Sequence, residues 1–431
     1  MNEYDSNRIY DLVKKINYKK TNISEDADCY VLNTCHIREK ATDKVYHDVG
    51  RIKKNFRNKR KPIVIITGCV AQAEGEIIMN KEKYIDAVIG PQSYHQLNET
   101  ILKIEKSSDK LSETNFEVID KFNKLNQIKN SNNKISSFLT IQEGCDKFCK
   151  FCVVPYTRGP EHSRSIDELL LESNSLVANG AREITLLGQN VNDFNYKEKK
   201  LSDLIKEISK IKNLKRIRYT TSHPNDFTDD LIEAHGSVEK LMPMIHLPVQ
   251  SGSNKILKNM NRKHSVEDYL KIVKRLKKIN PLIEFSSDFI IGYPGETNED
   301  FNDTLKLLEE VKFINSYSFI FSPRFGTPAA KMKLVESTIA KERLLTFQKK
   351  AAEIKLSYRK TLLNNYSSVL FENKIKTNDK YFGKDKFSNP VLIDTNEDLN
   401  GKIKKVKITN INHNTLFGEI NEKEKKTEFA A

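Results

Sequence analysis

Cys145, Cys149 and Cys152 bring three thiols together in the run Cys145-Asp-Lys-Phe-Cys149-Lys-Phe-Cys152. Thiolates this close along a chain can wrap one metal centre. A structural zinc ion wants four ligands, and no fourth cysteine is near. His162 is a candidate fourth ligand, which keeps zinc open as the purely structural reading. A [4Fe–4S] cluster can be held by three thiolates, leaving one iron open. An open iron is what a substrate or cosubstrate needs in order to bind the metal, and the C-x3-C-x2-C spacing points to that use.

The setting of these cysteines agrees with metal chemistry. The chain has 431 residues and six cysteines, the other three being Cys29, Cys35 and Cys69. Its opening, Met1 to Asn17, is charged throughout. It reads as an amphipathic helix with Ile9, Leu12, Val13 and Ile16 on one face, and not as a secretion signal. Disulfides are unexpected in such a chain, and clustered cysteines argue for metal or redox work. No run approaches the ~18 continuous apolar residues of a membrane span, so a cytoplasmic protein is expected.

The net charge is +14, from 72 basic and 58 acidic residues. Compositional bias toward Lys, Asn and Ile accounts for much of it. Two local runs go further: Arg51–Lys61 has seven Lys or Arg and no acid, and Ala340–Lys360 has seven against two Glu. Clusters of this kind suit a polyphosphate partner, which releases counterions on binding, although a charge run is also what a solvated face looks like.

The elements that must position the cysteines fall into three regions. Residues 1–104 alternate helical patterns with short apolar strands. Asp28–Asn33 and Pro62–Thr67 each end near a cysteine, as in an open α/β sheet whose ligands gather at the carboxyl ends of strands. Residues 105–134 are rich in Lys, Asn, Ser and Asp and read as a linker.

From 135 to 360, six strand candidates recur at helix-sized intervals: Ser137–Gln142, Glu183–Leu187, Arg216–Thr221, Met244–Val249, Glu284–Ile291 and Ser316–Phe321. One intervening helix begins at Ser165, with Glu168 placed for a capping box and Gly180 as its stop. Alternating strand and helix implies a parallel sheet closed into a partial or full barrel, with chemistry on the loops after the strands. Polar residues cluster there, at Glu143–Cys152, Gln189–Asn192, Ser222–Asn225, Gln250–Ser253, Gly292–Thr297 and Ser322–Gly326.

The last region, 366–429, has short strands at Ser368–Phe371, Val391–Ile393 and Lys404–Ile408. Gly383, Pro390 and Gly401 punctuate it. It reads as a small β-barrel, of the kind that binds oligonucleotides or simply caps a neighbour.

The three-cysteine spacing resembles that of the radical-SAM family. A longer stretch, Glu143-Gly-Cys-Asp-Lys-Phe-Cys-Lys-Phe-Cys-Val-Val-Pro-Tyr-Thr-Arg-Gly-Pro-Glu-His-Ser-Arg164, resembles the methylthiotransferase branch. So do Leu187-Gly-Gln-Asn-Val191, His246-Leu-Pro-Val-Gln-Ser-Gly-Ser253, Gly292-Tyr-Pro-Gly-Glu-Thr297 and Phe321-Ser-Pro-Arg-Phe-Gly-Thr-Pro328. Asn33-Thr-Cys-His-Ile-Arg-Glu-Lys-Ala41 and Gly68-Cys-Val-Ala-Gln72 belong to the same pattern, which covers almost the whole chain. The C-terminal barrel resembles a TRAM domain. The implied fold class is α/β: an open α/β N-terminal domain, a partial (β/α) radical-SAM barrel and a small C-terminal β-barrel.

That resemblance carries expectations about the site. Cys145, Cys149 and Cys152 would hold a [4Fe–4S] cluster whose open iron binds S-adenosylmethionine, the source of a 5′-deoxyadenosyl radical. A second [4Fe–4S] cluster on the N-terminal domain, held by three cysteines, would bind the sulfur to be transferred. Cys35 and Cys69 match two of the three. The third sits in a Gly-Cys-Gln just before Met-Asn-x-x-Asp-Ser, and this sequence begins at Met1-Asn-Glu-Tyr-Asp-Ser6. Either the start lies upstream, the reading preferred because every other motif is intact, or this chain lacks the ligand. Cys29, within a strand, reads as a small buried apolar residue.

Phe151, Gln189, Asn190, Gln250, Ser251 and Glu296 are candidates to contact S-adenosylmethionine, with loop structure as the alternative for each. Arg324 is a candidate substrate contact or relay, or a satisfied ion pair. Cys35-His-Ile-Arg-Glu-Lys-Ala41 and Val153-Val-Pro-Tyr-Thr-Arg-Gly-Pro-Glu161 look most like the enzymes that methylthiolate N6-isopentenyladenosine in tRNA. Sister enzymes act on N6-threonylcarbamoyladenosine or on a ribosomal-protein aspartate. The implied partners are tRNA, an electron-donor protein and a sulfur donor, for a monomer with no membrane contact. The reading from another class is a non-catalytic iron–sulfur RNA-binding protein.

Overall fold

The computed structural model describes residues 1–34, 40–107, 110–114, 118–126, 128, 130–324, 326–375 and 380–420. The chain opens with helix α1 (Asn2–Lys14), followed by β1 (Cys29–Thr34), α2 (Lys40–Asn55), β2 (Ile63–Gly68), α3 (Cys69–Glu74), α4 (Glu76–Lys81), β3 (Ala87–Ile89), α5 (Leu97–Ser107), β4 (Leu111–Glu113) and α6 (Val118–Asn126). The four strands form a parallel sheet in the order β1-β2-β3-β4, and Thr34 pairs with Gly68 at its carboxyl edge. Residues alternate between the faces of this sheet, as strand geometry requires. Ile65, Ala87 and Ile89 meet Ile9, Leu12 and Ile101 on one side. Val64, Ile66 and Val88 meet Val45, Val49 and Val70 on the other. Both faces are covered, which is why these strands are apolar almost throughout.

Two details of this region differ from the sequence reading. The first helix buries Ile9 and Leu12 as expected, but its polar side is buried too, with Tyr4, Asp5, Arg8 and Asp11 all inside. Residues 105–134, expected as a linker, carry β4 and α6. Phe122, Leu125 and Ile128 join the first core. The Lys and Asn content of the segment hid a short amphipathic helix.

The central region begins with β5 (Ser136–Thr140) and β6 (Gln142–Glu143). It continues with α7 (Val154–Arg158), β7 (His162–Ser163), α8 (Ile166–Ala178) and β8 (Glu183–Leu187). A small hairpin, β9 (Asn195–Tyr196) and β10 (Lys199–Lys200), precedes α9 (Leu201–Ser209). Then come β11 (Arg216–Thr220), α10 (Asp229–Ser237), β12 (Met244–His246), α11 (Asn254–Asn259), α12 (Val266–Ile279), β13 (Glu284–Ile291), α13 (Asn298–Val311), β14 (Asn315–Ile320) and α14 (Ser337–Lys360).

All six long-sequence strands are there and all run parallel. They form two sheets, β11-β8-β5 and β12-β13-β14, joined by a parallel bridge between Ile217 and Leu241. The result is the partial barrel, with its carboxyl ends on one side. Ser165 caps α8 by accepting from the Glu168 N–H. Reciprocal capping boxes close at Ser265 with Asp268 and at Thr297 with Asp300.

The final region is a closed barrel of β15 (Tyr366–Lys374), β16 (Lys380–Lys384), β17 (Pro390–Asp394), β18 (Ile403–Ile411) and β19 (Leu416–Ile420). It is riveted to the central sheet. Arg216 donates to the Lys384 and Ser368 carbonyls, both at 2.8 Å. Arg218 donates to the Lys386 and Asp385 carbonyls and to Glu183.

Candidate iron–sulfur active site

The three-cysteine loop leaves the barrel at β6 and returns at β7. These two strands pair antiparallel, Glu143 opposite His162, and pinch the loop shut. Gly144 starts it with φ +78°, and a Cβ there would stand 1.9 Å from the Pro160 carbonyl oxygen, so only glycine fits. The Cys145 N–H donates to the Gly159 carbonyl at 3.3 Å, and the Cys152 N–H to the Cys149 carbonyl at 2.9 Å.

Phe148 lies in the left-handed region at φ +48°, where its carbonyl accepts from the Asn261 amide. The Lys150 N–H donates to Met260, and the Lys150 carbonyl accepts from Ala329. The loop is thus sewn to the segments following α11 and β14.

Cys149 is buried, and Cys145 and Cys152 are half-buried. Burial pushes the Cys145 and Cys152 thiols up to about 12. Opposing that, backbone N–H groups of Lys147 and Val154 are directed at the two sulfurs. The Arg262 guanidinium donates to Cys149 Sγ at 3.7 Å. Thiols this buried stay protonated unless a metal takes them, and a coordinating metal deprotonates them outright.

Among the described residues, no three His, Cys, Asp or Glu side chains are close enough to share a single ion. His162 stacks on Phe122 instead, with ring centroids 6.3 Å apart, so it does not complete a zinc site. Three thiols with one position left over are the donor set that a four-iron cluster with an open iron takes. The cysteine loop fits that group, with sulfur-directed donors already in place.

The strand-end loops surround this loop unequally. Gln189 accepts from the Gly144 N–H at 2.6 Å and so braces the first cysteine. Asn190 is buried and donates to Asp193 and Asp226, while its own Oδ1 has no partner. Those two aspartates also hold Lys147, at 2.6 and 2.8 Å. Ser222 Oγ and His223 Nε2, at the end of β11, are buried without partners as well. Orphaned polar atoms at two neighbouring strand ends are what a bound cosubstrate would satisfy.

Gln250 is half-buried at φ +77°. Ser251 and Glu296 spend their polar atoms on the protein. Ser251 Oγ accepts from the Ser253 N–H, and Glu296 accepts from the Gly292 N–H and from Arg343. Burial nonetheless pushes the Glu296 carboxyl upward. Phe151 packs against the cluster of Tyr293, Phe321 and Met260. Arg324 is buried after β14, and its carbonyl accepts from the Thr327 N–H and hydroxyl.

On the N-terminal domain, Cys69 follows β2 directly. Gly68 must be glycine, because a Cβ there would sit 2.2 Å from the Thr34 carbonyl oxygen. Cys35 lies outside the described residues; the strand leading to it ends at Thr34, the register partner of Gly68. Cys29 opens β1, packs beside the first core, and has its thiol pushed up to about 12 by burial.

Between Cys69 and the three-cysteine loop lies a buried charge network that no local sequence signal announced. Arg158, at the end of α7, donates from Nε to Cys69 Sγ at 3.4 Å. Its terminal nitrogens reach Asp5 at 3.0 Å and Glu143 at 3.4 Å. Lys121, from the segment expected as a linker, pairs with Glu143 and stands 3.8 Å from Asp5. Gln92 donates to the Arg158 carbonyl at 2.8 Å. Two cations and two carboxylates are thus paired where unpaired charge would be prohibitive.

Residues 139–308 match the Radical SAM superfamily, and residues 1–90 match an uncharacterized protein family, UPF0004. The chain is 57% identical over 430 residues to the tRNA-2-methylthio-N(6)-dimethylallyladenosine synthase of Pelagibacter ubique (strain HTCC1062), covering 99% of this chain and 96% of that protein. It is 48% identical over 432 residues to the enzyme of the same name from Rickettsia akari (strain Hartford), covering 97% of each. Among solved structures, the radical S-adenosylmethionine methyltransferase TsrM from Kitasatospora setae aligns with a TM-score of 0.51 at 12% identity, over 74% of this chain and 68% of that one. That likeness is one of fold. Identity sustained from α1 through the closed barrel, together with the match to the Radical SAM superfamily, makes this chain a member of the radical-SAM tRNA-2-methylthio-N(6)-dimethylallyladenosine synthase family.

Proposed function

We propose that the protein methylthiolates C2 of N6-isopentenyladenosine beside the tRNA anticodon, giving 2-methylthio-N6-isopentenyladenosine. The observation that carries this reading is the approach of Cys69 to the three-cysteine loop, one arginine apart. A thiol placed there is what transfer of sulfur to a substrate at the radical site would need. When bound, two [4Fe–4S] clusters and S-adenosylmethionine would supply the chemistry: a 5′-deoxyadenosyl radical to take hydrogen from adenine C2, and a sulfur methylated by a second S-adenosylmethionine.

The chain's own residues do the positioning. Cys145, Cys149 and Cys152 would hold the first cluster, and Cys35 and Cys69 would serve the second. The Lys147 and Val154 N–H groups and Arg262 stabilise thiolate charge. Asn190, Gln250, Phe151 and Gln189 would contact S-adenosylmethionine. Ser251 and Glu296, whose polar atoms bond the protein, would support those contacts from the strand-end loops. Arg324, buried after β14, would contact or relay to the substrate. The barrel adds a basic aromatic surface, with Lys405 over the Tyr366 ring at 5.0 Å, a platform on which bases can stack.

No helix among the described residues is long and apolar enough to cross a membrane. We place the protein in the cytoplasm as a monomer, served by an electron-donor protein and a sulfur donor.

The test is the nucleoside content of tRNA from cells lacking the gene. 2-Methylthio-N6-isopentenyladenosine should vanish and N6-isopentenyladenosine accumulate. An unchanged level of the methylthiolated nucleoside overturns the substrate. Reconstituted protein that forms no 5′-deoxyadenosine from S-adenosylmethionine and reductant overturns the enzyme reading in favour of a binding protein.

A further inference from the structure

We propose that a basic groove beside the cysteine loop holds the phosphate backbone of the RNA substrate, with Phe148 as a stacking platform at its head. This rests on the tRNA reading above and adds where the strand lies on the central region. The groove, about 520 Å³, runs between the turn after β11 and helix α12. Asn225 and Phe227 line it from the turn. Lys263, Lys271, Lys274 and Arg275 line it from the helix and the residues leading into it.

The charge is one-sided. Lys271 leans toward Asp268 at 3.4 Å and Arg275 toward Asp229 at 2.8 Å, all four side chains being exposed. Exposed pairs of this kind are weak, so both cations can turn to a phosphate. Lys263 and Lys274 are exposed and make no ion pair among the described residues. Lys271 and Arg275 are one helical turn apart, about 5–6 Å between Cβ atoms. A row of cations at that spacing suits successive phosphates of one strand.

The floor points to a ligand independently. His264 lines the groove, is 8% exposed, and has no hydrogen-bond partner on either ring nitrogen. Burial pushes its ring down to about 3, so it is neutral and keeps one unused N–H and one unused acceptor. Buried polar atoms are normally paired. Two orphans at the base of a cationic groove are what a bound polar ligand completes.

Both sides of the groove are bonded to the cysteine loop. Asp226, in the turn, accepts from Lys147 at 2.8 Å. Just before Lys263, the Asn261 amide donates to the Phe148 carbonyl at 3.0 Å and Arg262 to Cys149 Sγ at 3.7 Å. The groove therefore opens next to Phe148, which is 53% exposed and held at φ +48°. A bulky residue rarely adopts that backbone, and here it presents a ring at the tip of the loop. An exposed ring beside cations favours RNA over an acidic protein, since every base offers a π-face to stack.

The experiment uses reconstituted full-chain protein and a synthetic anticodon stem-loop carrying N6-isopentenyladenosine, with binding followed by fluorescence anisotropy. The readout needs no sulfur transfer. Lys263→Gln with Lys274→Gln should weaken binding about tenfold. The slope of log affinity against log salt should flatten by about 1.4, two contacts at ~0.7 each. Formation of 5′-deoxyadenosine in the absence of RNA should be unchanged in this pair. Phe148→Leu should weaken binding by about fivefold or more with the salt slope kept, and Phe148→Tyr should bind like the parent.

An unmoved affinity and salt slope in the lysine pair overturn the groove. Equal loss in Phe148→Leu and Phe148→Tyr overturns the platform. Polyglutamate that displaces the stem-loop as well as polyuridylate of equal charge overturns RNA in favour of an acidic protein. If the parent does not bind the stem-loop at all, the tRNA reading itself falls, a failure visible before any variant is made.

Discussion

Gly144 and Pro160 touch backbone to backbone at the neck of the cysteine loop, and no side chain fits between them. The contact holds the first thiol against the returning strand. Gly144→Ala should open this neck. Iron and sulfide bound by the radical site should fall, and 5′-deoxyadenosine formation should drop by at least about tenfold, a ~1.4 kcal/mol effect. Full iron loading with unchanged turnover would show that the neck can relax at no cost.

Lys121 is the second cation of the buried network. Lys121→Met would leave Glu143 and Asp5 with one cation between them. A broken buried pair costs about 3–5 kcal/mol, and thermal unfolding of the apo-protein should shift down accordingly. Lys121→Arg should recover part of the loss. A melting temperature within a degree or so of the parent would mean that water or a shifted side chain takes the place of Lys121.

Arg216 and Arg218 carry the barrel. Each bond they make to a carbonyl contributes about 1 kcal/mol, so Arg216→Ala with Arg218→Ala should loosen the docking. Limited proteolysis should then cut near Asn364 faster than in the parent. Binding of tRNA should weaken while the barrel itself stays folded. Equal cleavage rates would assign the docking to other contacts.

Acid should destabilise the protein before its carboxylates titrate. His235 is buried against the Tyr219 hydroxyl at 2.6 Å, and burial pushes its ring down from the usual 6.5 to about 3. Between those values the unfolded chain binds a proton that the folded chain does not. Stability from this residue is therefore complete above pH 6.5 and declines as pH falls toward 3, with a slope near 1.4 kcal/mol per pH unit for one proton. Urea midpoints measured across that window should fall less steeply in His235→Phe. Parallel curves for the two proteins would contradict the shift.

Much of this architecture is legible in local sequence. The strands Glu183–Leu187 and Glu284–Ile291 read to the residue, because each is an apolar run bounded by polar strand-end loops. The three-cysteine loop is equally plain, since its chemistry lies within a few residues. What escaped is non-local. Arg158 looks like one more charge after Thr157 until Cys69, Asp5 and Glu143 are brought to it from three other elements. Lys121 was lost inside a lysine-rich stretch whose helical period is short.

The candidate contacts of S-adenosylmethionine show the same limit from the other side. Position after a strand picked out Ser251 and Glu296 correctly as loop-end residues. Position alone could not say that Thr304, Ser253, Gly292 and Arg343 already occupy their polar atoms.

The β6–β7 pinch has a consequence for biogenesis. It gathers Cys145, Cys149 and Cys152 within one short closed segment, so the entropy of bringing those thiols together is small. Cys69 comes beside the end of β1 only once two separate strands have paired and their carboxyl ends lie side by side. On the proposed two-site reading, the thiols of the first site are local in sequence, whereas the second site must wait for its sheet.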